Sequence, residues 1–96
     1  LQFDAHADLQ EAYEGDRWNH ASVMARVHEI PQVENIISLG IRSLSAHEKP
    51  FIDNHKIFYA NQLDREGKWM ERVLEKLQSP LYITFDLDAF DSSLMP

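Results

Sequence analysis

The 96-residue chain contains no cysteine, which excludes a disulfide framework, a thiolate metal site and a cysteine nucleophile. Basic residues are also scarce: 9 lysines and arginines stand against 16 aspartates and glutamates, a formal net charge of −7. Nucleic acids and anionic membranes attract clustered lysine and arginine, so we expect neither as a partner. No apolar run approaches the roughly 18 to 20 residues that cross a bilayer. The lack of cysteine is compatible with a reducing compartment, and we expect the cytoplasm.

Glycine and proline are few as well, with 3 and 4 residues, and they form no linker-like or low-complexity stretch. Hydrophobic residues make up 44% of the chain and charged residues 26%, which is typical of a globular protein. We find no domain boundary. The chain begins at Leu1 without an initiator methionine and ends at Pro96 just after an acidic cluster. We therefore expect a segment of a longer protein.

Short apolar segments and helical patterns alternate along the chain. Nearly continuous apolar strands that alternate with amphipathic helices predict a parallel α/β sheet with helices on both faces. Gly67 lies early in the clearest helical pattern and costs roughly 1 kcal/mol relative to alanine, so this helix begins at Asn61 or later, with Asn61 or Asp64 as its cap. The predicted strands cover residues 1–3, 35–40, 56–60 and 81–85, and the first, second and fourth of them are expected to be buried. The predicted helices cover residues 20–30 and 61–77.

Two acidic clusters follow the first and the last predicted strand. Asp4, His6 and Asp8 make up the first cluster. Asp86 and Asp88 make up the second. Residues i and i+2 of extended backbone point to the same side, so the side chains within each cluster converge. Open parallel sheets bind their ligands beyond the carboxyl ends of the strands, and both clusters are expected at that edge.

Carboxylates gathered in this way repel one another, by roughly 4 kcal/mol for two charges about 4 Å apart near a protein surface. Carboxylate oxygens with one imidazole suit Mn²⁺ or a similar ion, and the lack of thiolates disfavours structural zinc. With Asp4 and Asp86 as bridging ligands, a pair of ions about 3.5 to 4 Å apart is plausible. A short D-x-D or D-x-H string alone is more often a turn, a cap or a solvated face. The pair of clusters, each after a predicted buried strand, favours metal binding.

Five motifs span almost the whole chain: DAHAD at residues 4–8, YEG at 13–15, NH at 19–20, SLGIRS at 38–43 and TFDLDAFD at 84–91. Together and in this order they resemble the ureohydrolases, the family of arginase and agmatinase, and the agmatinase branch most closely. The resemblance implies a three-layer α/β/α sandwich around a parallel sheet, of which residues 1–96 form a central segment of a single domain, with flanking parts missing at both ends.

The resemblance also implies a ligand set for two Mn²⁺ ions. Asp4 and Asp86 would bridge the two ions. His6 and Asp88 would bind one ion, and Asp8 would bind the other. The family's first ligand histidine should lie upstream of Leu1, so we expect the 96 residues alone to be inactive.

Two catalytic positions are implied by the same resemblance. Asp8 would hold the attacking water and pass on a proton, and His20 would match the histidine that serves the leaving amine. Asp91 would match an acidic position that lies near the site without binding an ion. The family has glycine and proline where this chain has Ala21 and Ser92.

The implied reaction is hydrolysis of a guanidinium group to urea and an amine, and agmatine, which gives putrescine, is the expected substrate. An acidic site suits such a small cation. The resemblance further implies a homo-oligomer, a trimer or a hexamer.

Three alternatives stay open at this point. The substrate could be arginine or guanidinobutyrate instead. The segment 83–88 also looks like the nucleophile strand of a haloacid-dehalogenase-type phosphatase, although that motif continues with Gly-Thr and this chain with Ala89 and Phe90. The last alternative is a metal-binding member of the fold without catalysis.

Overall fold

The computed structural model of the chain describes residues 1–53, 56–65 and 67–90. No helix in these described ranges is both long and apolar enough to cross a membrane. Three short 3-10 turns, at His20–Ser22, Lys49–Phe51 and Leu87–Ala89, complete the regular structure. The strands and helices in chain order are β1 (Gln2–Phe3), α1 (Val23–His28), β2 (Ser38–Ile41), β3 (Ile57–Tyr59), α2 (Ala60–Arg65), α3 (Trp69–Lys76) and β4 (Thr84–Phe85).

The four strands form one parallel sheet in the order β3-β2-β1-β4. From β1 the chain moves to β2 and β3 on one side, and it later returns to β4 on the other side. The boundary between β1 and β4 is therefore the point at which the strand order reverses, where open α/β sheets place their ligands. Phe3 is paired in register with Phe85, so the residues that follow them, Asp4 and Asp86, lie side by side.

Apolar side chains cover the sheet on both faces. One cluster joins Met24 of α1 to Ile41 and Ile57. The other joins Val73 of α3 to Leu39 and Phe58. Neighbouring residues of one strand, such as Ile57 and Phe58, enter opposite clusters because side chains alternate along a strand. The predicted α/β class, with helices on both faces of a parallel sheet, is confirmed.

The helix predicted over residues 61–77 is wrong as a single element, because the structure divides it into α2 and α3. Gly67 lies between the two helices, and a Cβ placed there would meet nothing within 4 Å. The break therefore reflects the low helix propensity of glycine rather than a steric need. Asn61, predicted as a helix cap, lies inside α2.

The prediction of a buried strand over residues 81–85 is wrong in its length and its burial. Only Thr84 and Phe85 pair with the sheet. Phe85 is 51% exposed and Ile83 54%, because β4 has one strand neighbour, β1, in the described part of the chain. Apolar composition predicts a strand here, but it does not distinguish a central strand from an edge strand.

Gly40 in β2 allows a close approach that brings the two ends of the site together. Its φ of +91° is a backbone conformation that residues other than glycine rarely adopt. A Cβ at this position would lie 3.3 Å from the Asp4 carbonyl oxygen and 3.8 Å from that of Ala89. The missing side chain thus makes room for the turn that carries Asp88.

Candidate metal centre

The carboxylate of Asp4 shapes the chain directly after β1. It is buried, and its Oδ1 accepts a hydrogen bond of 2.8 Å from the His6 backbone N–H. Aspartate side chains commonly bond the backbone two residues on, and this bond turns the chain out of the strand. The His6 ring is consequently presented at the carboxyl edge of the sheet.

The chain leaves β4 through the same device. Asp86 Oδ1 accepts a hydrogen bond of 3.1 Å from the Asp88 N–H and caps the turn Leu87–Ala89. Asp88 in turn reaches across to the first cluster, where its Oδ1 accepts from the Ala5 N–H at 3.1 Å. The two acidic segments are thus hydrogen-bonded to each other, although more than 80 residues separate them in the chain.

Three side chains converge on one point. His6 Nδ1 lies 3.0 Å from Asp88 Oδ2 and 3.6 Å from Asp4 Oδ1. One ligand atom from each of the three residues falls within 4.8 Å of the other two. Two carboxylates and one imidazole are a donor set that suits a hard divalent cation such as Mn²⁺. The residues therefore fit a metal ion chemically and in their spacing.

The two remaining predicted ligands, Asp8 and Asp86, line a cleft that Asp4 shares. Asp4, Asp8 and Asp86 contribute three carboxylates to a cleft of about 430 Å³, whose other walls include Met24 and Phe85. All five predicted metal ligands thus lie at the carboxyl edge of β1 and β4. Their assignment to particular ions stays a prediction.

Burial, neighbouring charges and hydrogen bonds shift the pKa values of three of these carboxylates. Burial, followed by the charge of Asp4, raises the pKa of Asp8 to about 7. Burial also raises the pKa of Asp4, although the hydrogen bond from His6 opposes this. Burial would raise the pKa of Asp88 too, but the Ala5 N–H and the charge of His6 lower it overall. Ionising the inner carboxylates together is costly, and a bound cation would offset that cost.

The backbone at Asp8 is held in an unusual conformation. Its φ is +55°, and its carbonyl oxygen accepts hydrogen bonds from the N–H groups of Met24 and Ala25, at 2.9 and 3.2 Å. The next N–H, that of Leu9, donates to Glu48 Oε1 at 3.0 Å. The start of α1 and Glu48 therefore fix the residue that carries the second carboxylate of the first cluster.

Glu48 is a residue of this region that sequence reasoning missed. It is buried, and its second oxygen, Oε2, accepts from the Ser45 N–H at 2.8 Å. No pattern distinguishes a single glutamate in a polar loop from a solvated one, so the sequence offered no signal for it. Its bond to the Leu9 N–H joins segments 39 positions apart in the chain, whereas its bond to the Ser45 N–H is local.

The two remaining predicted residues differ in what the structure shows. His20 is exposed, opens a 3-10 turn that Asn19 caps through the Ala21 N–H, and has its ring 5.9 Å from that of Tyr13. His20 is not one of the described residues that line the cleft. Its catalytic role therefore stays a prediction. Asp91 lies outside the described residues.

Comparison with known proteins supplies the family. The arginase family matches the chain over residues 1–96. The chain belongs to the arginase family. The ureohydrolase resemblance seen in the motifs is therefore confirmed. Because one family accounts for the Asp4–Asp8 segment and for the segment after β4 together, the haloacid-dehalogenase alternative is set aside.

The curated relatives are identical to this chain at about a third of the aligned positions. It is 35% identical to an uncharacterized 32.2 kDa protein of Methanothermus fervidus, over 100% of this chain and 34% of that protein. It is 34% identical to the agmatinase of Pyrococcus horikoshii and 36% identical to the N(1)-aminopropylagmatine ureohydrolase of Thermococcus kodakarensis, in both cases over 98% of this chain and 32% of the relative. The chain thus spans about a third of the length of the curated relatives it matches. No solved structure gives a significant match.

Proposed function

We propose that this chain carries metal-binding and proton-transferring residues of a guanidinium hydrolase, with agmatine as the first substrate to test. The observation that carries the proposal is the convergence of Asp4, His6 and Asp88 at the β1–β4 boundary of an arginase-family chain. Because the chain spans about a third of its relatives, the proposal concerns the full-length protein.

Two Mn²⁺ ions are the proposed cofactors. His6 and Asp88 would hold one ion, Asp8 would hold the other, and Asp4 and Asp86 would bind both. Carboxylate oxygens with a single imidazole favour this ion over a zinc site built on thiolates. When bound, the ions would supply Lewis-acid chemistry and lower the pKa of water.

Two side chains are proposed to move protons. Asp8 faces the cleft, and its carboxylate would accept a proton from the attacking water. His20 would deliver a proton from its ring to the leaving amine, so that guanidinium and water give urea and a protonated amine. This role requires the His20 turn to approach the cleft, because His20 is outside its described lining.

A substrate with a second positive charge suits the cleft. Three carboxylates line it, and a field of one sign concentrates ligands of the opposite sign. Two of the relatives bear names that specify agmatine and N(1)-aminopropylagmatine. We therefore propose a guanidinium compound with a cationic amine at its other end, agmatine first and aminopropylagmatine as the second candidate.

Urea release by the full-length protein with Mn²⁺ tests the proposal. Agmatine, aminopropylagmatine, arginine and guanidinobutyrate are compared at equal concentration. We expect the first two to be hydrolysed, and arginine and guanidinobutyrate at least about 10-fold more slowly, because a carboxylate meets the like charge of the cleft. Bound metal with no urea from any of the four would instead support the non-catalytic alternative.

The oligomeric state and the cellular location of the protein are further proposals. The resemblance to the ureohydrolases implies a homo-oligomer, a trimer or a hexamer, and the lack of cysteine is compatible with a cytoplasmic location. Light scattering of the full-length protein and fractionation of its host cell would test the two predictions separately.

A further inference from the structure

A buried amide lies beneath the candidate metal centre. Gln2 of β1 is 1% exposed, although strands of a parallel sheet are usually filled with apolar side chains. Its Oε1 accepts a hydrogen bond of 2.7 Å from the Ser38 hydroxyl on β2. Its Nε2 donates to the His6 carbonyl oxygen at 3.0 Å, and longer contacts of 3.4 and 3.5 Å reach Asp4 Oδ2 and the Ala7 carbonyl.

The partners determine which way the amide points. The backbone carbonyls of His6 and Ala7 only accept hydrogen bonds, and so does an ionised carboxylate such as that of Asp4. The NH₂ end of Gln2 must therefore face this side. The oxygen end then faces Ser38, whose hydroxyl is free to donate.

The contacts of Gln2 hold the segment that carries the ligands. Asp4 receives the His6 N–H on Oδ1 and faces the Gln2 amide with Oδ2. His6 is thereby held at its N–H by Asp4 and at its carbonyl by Gln2. The buried Gln2 side chain consequently restrains two groups next to Asp88. These are the carboxylate of Asp4 and the backbone of His6, the residue that carries the imidazole.

We propose that Gln2 is a positioning residue of the metal centre, which aligns Asp4 and His6 for one ion while Ser38 orients its amide. The proposal rests on the proposed function, because it takes these residues to be metal ligands. Partners that orient metal ligands typically contribute 10- to 100-fold in metal affinity. Gln2 is separate from the ligands themselves and would not touch the ion.

The first test replaces Gln2 by methionine in the full-length protein. Methionine is similar in length but neither donates to His6 nor faces Asp4 with an N–H. We expect Mn²⁺ affinity, measured by calorimetric titration, to fall by roughly 10- to 100-fold. The matched control Gln32→Met changes an exposed glutamine and is expected to leave the affinity unchanged. Affinity of Gln2→Met within about 2-fold of wild type would overturn the proposal.

A second variant separates positioning from stability. In the double variant Gln2→Met with Ser38→Ala, the orphaned Ser38 hydroxyl is also removed, so thermal stability is expected to recover in part. The Mn²⁺ affinity and the paramagnetic resonance spectrum of the bound ion are expected to stay at the level of the single variant. Recovery of affinity in step with the thermal midpoint would show a merely structural role and overturn the proposal.

The wild-type protein distinguishes the two proposals. Mn²⁺ binding without urea release contradicts the proposed function and leaves the role of Gln2 intact. Urea release by the wild type with undiminished Mn²⁺ affinity in Gln2→Met contradicts the role of Gln2 alone. Failure of the wild type to bind Mn²⁺ contradicts both.

Discussion

The ends of β1 and β4 contain the same local hydrogen bond in two different environments. In each, an aspartate accepts the N–H of the residue two positions on. At the β1 end the accepting residue, Asp4, has a side chain that is 10% exposed and a raised pKa. At the β4 end Asp88, whose N–H is accepted by Asp86, has a side chain that is 38% exposed and a lowered pKa. β1 has a strand on each side, and β4 has one described neighbour. Burial therefore dominates at Asp4, whereas at Asp88 the hydrogen bond from Ala5 and the charge of His6 outweigh the cost of burial.

The largest expected effect comes from removing one carboxylate at each end. Asp4→Asn is expected to weaken Mn²⁺ binding by more than about 100-fold, beyond the effect of an outer partner. Asp88→Asn is expected to cost less, roughly 10-fold, because solvent screens its more exposed charge. Calorimetric titration of the full-length variants measures both, with the exposed Glu34→Gln as control. Equal losses for Asp4 and Asp88 would remove the contrast between buried and exposed ends.

The next largest effect concerns the anchor behind the β1 end. Glu48→Gln keeps the shape of the side chain but sets an NH₂ group against one of the N–H groups of Leu9 and Ser45. We expect a loss of about 1 to 3 kcal/mol in the free energy of unfolding, measured by urea denaturation. Glu75→Gln, at an exposed site on α3, should change it by less than about 0.5 kcal/mol. A loss no larger than that of Glu75→Gln would show that the buried bonds of Glu48 do not hold this segment.

Alanine substitutions at two glycines test the close approach of the β1 and β4 ends, with Gly40 at that approach and Gly67 away from it. Gly40→Ala is expected to destabilise the protein by roughly 1 to 2 kcal/mol, because alanine is strained at positive φ and its Cβ meets the Asp4 carbonyl. Gly67→Ala should have the opposite sign and stabilise it by about 0.4 to 1 kcal/mol through the unfolded chain. The thermal midpoints of the two variants are compared with wild type. A thermal midpoint of Gly40→Ala at or above that of wild type would contradict the assigned role of Gly40.

The last prediction concerns how the stability of the metal-free protein depends on pH. The pKa of Asp8 rises from 3.8 to about 7 on folding, so over that interval the folded state holds a proton that the unfolded state has lost. Its contribution to stability therefore falls as pH rises through this window. The contribution of Asp88 to stability has the opposite pH dependence, because its pKa is lowered on folding. This contribution is lost as pH falls below the ordinary pKa of aspartate and through the folded pKa of Asp88.

Asp8→Asn is expected to reduce the fall in stability across this window. Urea unfolding of metal-free protein at a series of pH values measures it, with Glu34→Gln as the control variant. Curves for Asp8→Asn and wild type that run parallel from acid to neutral pH would contradict the raised pKa.

The motifs at the strand ends were readable from the sequence because they are local. An apolar run followed by alternating Asp and His predicts a strand with ligands at its carboxyl end, and the resemblance to the ureohydrolases supplied the family. Glu48 and Gln2 were not readable in this way. Their hydrogen-bond partners lie in other segments or depend on the turn after β1, and neither residue stands in a pattern that indicates them.

The strand order and the exposure of β4 were also beyond the sequence pattern. Periodicity indicates which residues form strands, but the pairing of β1 with β4 is a contact between residues more than 80 positions apart. The division of the predicted second helix at Gly67 had a visible cause in the sequence, yet the propensity of one glycine is a small term that packing can override.

By itself, the sequence determined the class of the fold, the acidic and cysteine-free character of the chain and which residues have the chemistry that suits a hard cation. These properties depend on residue type and short spacing. The tertiary structure alone decided that β1 and β4 are neighbours in register, that Asp4 is buried while Asp88 is accessible, and that Gln2 lies beneath them. The reason is physical: convergence, burial and pKa depend on which distant segments share one sheet edge.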